Sequence, residues 1–263
     1  MIPELAHFPE NPSYGQGAYR RRLEFTALPE AMVAQVDDNF HSYWLALEHD
    51  KRVITSVEAG FLRAPTTMCG GAPSGLGTLV GAPLETDRRE LMVRLPQQCN
   101  CTHLVDLALW TLSQLGRCAT WEIVIPDSVD GAAWITIMRD DVILHRWQVR
   151  GFELLAPDSL AGKPLMRGFI KWATQAFTGD ELMAATMLQR GVFVARGRQH
   201  IVDQGRPVPL SRAAGMNGMC WSYSDERWES GFGSLDFVRD FSTTVRAETL
   251  PQTIRTRLKD AGK

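Results

Sequence analysis

The stretch Cys99-Asn-Cys-Thr-His-Leu-Val-Asp106 places a histidine and an aspartate three residues apart, where a polar loop gives way to an apolar helix. Thr102 is a suitable N-cap. Leu104, Val105, Leu107, Ala108, Leu109, Leu112 and Leu115 follow at helical spacing. His103 then falls in the first turn, where unbonded N–H groups and the positive end of the helix dipole disfavour imidazolium. An imidazole kept neutral at pH 7 is competent as a general base. Asp106 lies on nearly the same face and is placed to orient it. A plainer account, a solvent-facing histidine and an aspartate on the helix dipole, weighs against this reading when the stretch is taken alone.

Three further positions add to it. His41 closes Asp37-Asp38-Asn39-Phe40-His41, where two aspartates are able to raise an imidazole pKa or bind a cation, although Asp-Asp-Asn is also strong turn chemistry. Arg63 ends an apolar strand before a loop rich in Pro, Thr and Gly, a position suited to holding a carboxylate or a developing oxyanion, or to a surface ion pair. Cys69 precedes Gly70 and Gly71, which allow backbone N–H groups to approach an oxyanion; a thiol nucleophile and a buried structural thiol are the two readings. Substrate contacts are expected from Arg63, Thr67 and Cys69 in this loop, and from Trp147 among the tryptophans of the second half.

Cofactor sites are poorly represented. Cys99, Cys101 and His103 alternate and would face one way in an extended segment, but the two-residue spacing of zinc-binding Cys pairs is missing, so no metal is expected. The glycines after Cys69 lack the Gly-Lys-Ser/Thr ending of a phosphate loop, and no nucleotide fingerprint appears. The expected chemistry therefore needs only acid, base and oxyanion groups, with no cofactor.

The 263 residues are 44% hydrophobic, enough for a packed core in one large domain or two small ones. A net charge of −2 without a basic block disfavours nucleic acid as a partner. Neither a signal peptide nor an apolar run long enough to span a membrane is evident, and five cysteines read as reduced thiols, so a cytoplasmic location is expected. A small-molecule substrate and, on base rates, a homodimer are the expected partners.

These residues must be held by regular elements. Residues 1–19, rich in Pro and Gly, read as an extended arm, 20–245 as a single domain and 246–263 as a C-terminal tail. Alternation from Arg20, then Met32–Val36, Phe40–Leu47 and Val53–Leu62 predict strands, and helices are predicted over Thr102–Leu115, Met166–Phe177 and Asp180–Ala195. Trp44…Asp50 echoes Trp134…Asp140, Gly60-Phe61 echoes Gly151-Phe152, and Leu79-Val-Gly-Ala-Pro-Leu84 echoes Leu160-Ala-Gly-Lys-Pro-Leu165. The expectation is an α+β fold of antiparallel sheets packed with helices, with strand–turn–strand–loop–helix pseudo-repeats at about 20–118 and 119–200.

Taken together, Asp37-Asp38-Asn39-Phe40-His41, Arg63-Ala-Pro-Thr-Thr-Met-Cys69, Leu79–Leu84 and Cys101-Thr-His-Leu-Val-Asp-Leu-Ala108 resemble the bacterial domain of unknown function 2889 family. Gly197-Arg198, Asp203 and Arg239-Asp240-Phe241 extend the resemblance, while Ala-Pro-Thr-Thr stands where an aromatic-containing loop is expected. The resemblance implies a role in catabolism of aromatic or other recalcitrant carbon compounds. The expected function is a cofactor-independent lyase acting on a small aromatic intermediate, with His103, Asp106, His41 and Arg63 as its catalytic set. The rivals are a hydrolase or acyl-transfer enzyme using Cys69, and a non-catalytic partner in a catabolic operon.

Overall fold

The computed structural model describes residues 8–86, 88–128, 130–241 and 243–261. Among the described residues, eight strands form one antiparallel sheet in the order β4-β3-β2-β1-β5-β6-β7-β8, packed with helices as an α+β fold, where more than one sheet was expected. The first meander is β1 (Ala18–Leu28), β2 (Ala31–Asp38), β3 (Ser42–His49) and β4 (Ile54–Arg63). The second is β5 (Ala119–Pro126), β6 (Ala132–Arg139), β7 (Val142–Arg150) and β8 (Glu153–Ala156). They meet at the β1–β5 ladder, which pairs Leu23 with Trp121.

Helices α1 (Arg88–Arg94) and α2 (Thr102–Ser113) follow the first meander, and α3 (Phe169–Ala176) and α4 (Gly179–Ala195) follow the second. Alternation along each strand decides which side chains meet them. On β1, Tyr19, Arg21, Leu23 and Phe25 are buried while the residues between them are partly exposed. The inner face packs beneath α2, which crosses β2 and β3, and α4, which crosses β1, β5, β6 and β7. Leu104, Leu107, Met187 and Leu188 join this core from the helices.

The outer face of the first meander is covered by the chain's own C-terminus. After α5 (Asp225–Ser230), helix α6 (Gln252–Ala261) lays Ile254 against Val33, Trp44 and Ala46. Most of the expected tail is thus a structural helix. The N-terminal arm also docks on its own chain: Ile201 N donates to Pro9 O, and Asn11 N to Gln199 O.

The sequence echoes hold only in part. Leu79–Leu84 and Leu160–Leu165 make matching backbone bonds: Gly81 N donates to Ile54 O and Leu84 N to Arg52 O, as Gly162 N does to Leu154 O and Leu165 N to Phe152 O. Gly81 and Gly162 both have positive φ, at 84° and 78°. The tryptophans do not correspond. Trp44 is on β3, the third strand from the central ladder, and is buried under α6; Trp134 is on β6, the second strand, and is 44% exposed. Gly60-Phe61 lies within β4, whereas Gly151-Phe152 lies at the β7–β8 turn. The repeat in its expected register, with Trp44 over Trp134, is not present.

Candidate active site

The β2–β3 turn contributes the best-ordered acid–base group. Asp38 ends β2 facing inward and is fully buried. Its Oδ1 accepts from the backbone N–H of Phe40 and His41, both at 2.8 Å, and lies 3.0 Å from His41 Nδ1. Its Oδ2 accepts from Tyr19 Oη at 2.8 Å and from Arg21 Nε and Nη2 at 2.9 and 2.6 Å. Burial alone would raise the Asp38 pKa, but His41, Arg21 and these donors hold the carboxyl well below its usual range. An ionised carboxylate only accepts, so the His41 Nδ1 that faces it carries a proton. Asp37, one residue earlier, faces the other way and accepts from Gln35 Nε2 and Glu248 N.

Helix α2 brings the second imidazole. The ring centroids of His41 and His103 are 4.3 Å apart. The N-cap is Cys101 rather than Thr102, and no side chain caps the helix. His103 does have a strongly lowered pKa, but its causes are burial first, then the charges of His41 and Arg21. Cys101 Sγ lies 3.8 Å from His103 Nδ1, and burial pushes that thiol's pKa up, so it stays protonated and able to donate to Nδ1. Two imidazoles, one against a buried carboxylate and one held neutral, stand side by side.

Asp106, expected to orient His103, pairs instead with Arg190 of α4, with Oδ2 2.7 Å from Nε. That pair lines a cleft of about 200 Å³ between α2, α3 and α4, walled by Met166, Phe169 and Ile170.

Arg63 has a different role from the expected oxyanion partner. Nη1 donates to Phe237 O at 2.6 Å and Asn39 O at 3.3 Å, Nη2 to Asp38 O at 2.8 Å and His41 O at 3.1 Å, and Nε to Glu248 Oε1 at 3.3 Å. All five N–H groups are committed. Arg63 clamps the turn that carries Asp38 and His41 and binds it to the C-terminal segment.

The loop after Arg63 is wound into 3-10 turns over Cys69–Leu79. Cys69 is buried, 3.0 Å from Thr66 Oγ1 and 3.4 Å from Ser222 Oγ. Thr67 bridges to the backbone of Phe232. Trp147 is 1% exposed and packs with His145, Trp172 and Phe177 on β7, four strands from β2, so it is core rather than a substrate contact at the imidazoles. Among the described residues, no group of three or more His, Cys, Asp or Glu side chains is arranged to hold a metal ion. No described helix is long and apolar enough to cross a membrane.

Sequence reasoning did not single out Tyr19, Arg21 or Tyr43. The available signal was an arginine at an inward position of an otherwise apolar alternation on β1, which demands a buried partner.

These strands and the helix that carries the second imidazole define a recognised module. Residues 23–114 match a family described as protein of unknown function (DUF2889). The segment runs from β1 through α2 and holds Asp38, His41, Arg63, Cys69, His103 and Asp106. No curated protein matches the chain.

Proposed function

We propose that the protein is a cofactor-independent lyase whose acid–base centre is the His41–His103 pair. The supporting observation is the dyad of Asp38 and His41, with Nδ1 3.0 Å from the carboxylate, set 4.3 Å from a histidine held neutral. A buried carboxylate fixes the ring and stabilises the imidazolium that forms when Nε2 takes a proton. In a retro-aldol step, His41 Nε2 removes the proton of a β-hydroxyl. The O–H pair becomes the new C=O, and the Cα–Cβ bond breaks with its pair passing to the carbonyl oxygen as an enolate. The imidazolium then returns the proton to the α-carbon, so no oxidant or reductant is needed. Decarboxylation and elimination place negative charge on the same oxygen. The assignment of a small aromatic catabolic intermediate rests on the family resemblance, and a cytoplasmic homodimer remains part of the same reading.

The thiol alternative has less support. Cys69 touches Thr66 and Ser222 hydroxyls, while Cys101, the thiol beside His103, is held protonated by burial.

The test is turnover of a panel of aromatic β-hydroxy carbonyl and β-keto acid compounds by the purified protein. His41→Ala and His103→Ala are each expected to lower kcat by about 10²-fold or more. Iodoacetamide should leave the rate unchanged. Full activity in both variants, or no turnover across the panel, would sink the reading.

A further inference from the structure

Tyr43 is the anomaly beside this pair. It lies on β3, fully buried, and its hydroxyl has no hydrogen-bond partner. Its ring stands edge-on to both imidazoles, with centroids 6.3 Å from His41 and 6.0 Å from His103, and its other neighbour is Phe61 at 5.7 Å. The groups that act on the phenol are Arg21, Asp38, Cys101 and Asp106, which places it between the inner sheet face and the first turns of α2. A buried hydroxyl left unbonded costs about 1–3 kcal/mol, and buried polar groups normally have a partner. Tyr19, on the same face, spends its hydroxyl on Asp38, so the local chemistry could have satisfied Tyr43 in the same way and does not.

We propose that the Tyr43 hydroxyl is the oxyanion donor of this site and that its ligand is a carbonyl compound whose oxygen becomes an enolate. This rests on the acid–base reading of His41 and His103. Burial keeps the phenol protonated, so it retains a proton to offer to an acceptor. Neutral His103 keeps one ring N–H, a second donor beside the phenol. Two neutral donors gain more from an anionic oxygen than from the ground-state carbonyl, which is the condition for lowering a barrier rather than only binding substrate. Arg63, committed to five acceptors, is not available for this task; Tyr43 takes it.

The probe is 4-nitrophenol, whose phenolate mimics an enolate oxygen and reports its ionisation by absorbance. Wild-type protein should bind the phenolate in preference to the phenol and lower the bound probe's pKa. Tyr43→Phe should lose about tenfold or more of that preference while binding nitrobenzene, which offers no phenolic oxygen, as tightly as before. His41→Ala should keep the phenolate preference, so failure of the general base and failure of the oxyanion donor are separately visible. Thermal unfolding of Tyr43→Phe without ligand should match or exceed wild type, because the deleted hydroxyl is unbonded. If that variant does not fold, 3-fluorotyrosine at position 43, a stronger donor, should increase the preference. Equal phenolate preference in wild type and variant, or no binding of the probe by wild type, would overturn the proposal.

Discussion

At the scale of single residues, charge burial separates groups that hold the turn from groups that are free to react. Arg63 and Arg21 are both buried, and both donate to the turn around Asp38, Arg21 to its carboxylate and Arg63 to its backbone carbonyls. Replacing Arg63 by Met would take the guanidinium donor from the carbonyls of Asp38, Asn39, His41 and Phe237, of which Asn39 and His41 keep a backbone donor from Arg239 and Asp38. The expected loss is about 3–5 kcal/mol of stability, and a Tm lowered by roughly 10 °C, since each kcal/mol shifts a domain of this size by about 2–4 °C. Calorimetry of the purified variant checks this. Unchanged stability together with lost turnover would return Arg63 to the role of a substrate ligand. In sequence, an arginine at a strand end before a loop fits both roles; only the positions of four carbonyls separate them.

At the scale of elements, strands were legible because their side chains alternate, and α2 because its apolar residues recur at helical spacing. The β2–β3 turn was legible as Asp-Asp-Asn chemistry, but which aspartate faces inward follows from strand register: Asp37 pairs with Ser42 and turns outward, leaving Asp38 to meet His41. The last helix was missed for a physical reason. Residues 252–261 are mostly polar, with Ile254 and Leu258 as their apolar contacts, and such a segment is helical mainly because an apolar sheet face receives it. Ile254→Ala should therefore cost about 2–4 kcal/mol and loosen α6, read as a lower urea midpoint and faster amide exchange in 252–261. Protection of that helix unchanged from wild type would show that it does not depend on the sheet.

For the whole molecule, the buried titratable groups set a window of pH stability. His103 and Asp38 both have folded pKa values below their unfolded ones. As pH falls, the unfolded chain binds protons first, so stability is lost below about pH 6.5 through His103 and below about pH 4 through Asp38. Cys101 and Tyr43 are shifted the other way. The unfolded chain releases their protons first, so stability also declines above about pH 8.5 and again near pH 10. The urea midpoint, followed by tryptophan fluorescence, should be highest between about pH 6.5 and 8.5, and His103→Ala should flatten the decline between about pH 6.5 and 5. Equal wild-type midpoints at pH 5 and 7.5 would contradict this assignment.

The sequence by itself determined most of the elements and their approximate bounds and pointed to His41, Arg63, Cys69, His103 and Asp106 as candidates for chemistry, because periodicity, turn chemistry and residue type are local properties. Tertiary structure decided which of those positions meet. His41 and His103 are 62 positions apart and become neighbours because α2 crosses β2 and β3 on the sheet's inner face. The same crossing gives Asp106 to Arg190 of α4 and leaves the Tyr43 hydroxyl unbonded beside the imidazoles. It also decided which repeat echoes correspond, since Gly81 and Gly162 serve matching turns while Trp44 and Trp134 occupy different strands and different degrees of burial. Pairings between residues far apart in the chain depend on strand order and helix placement, and no local pattern encodes those.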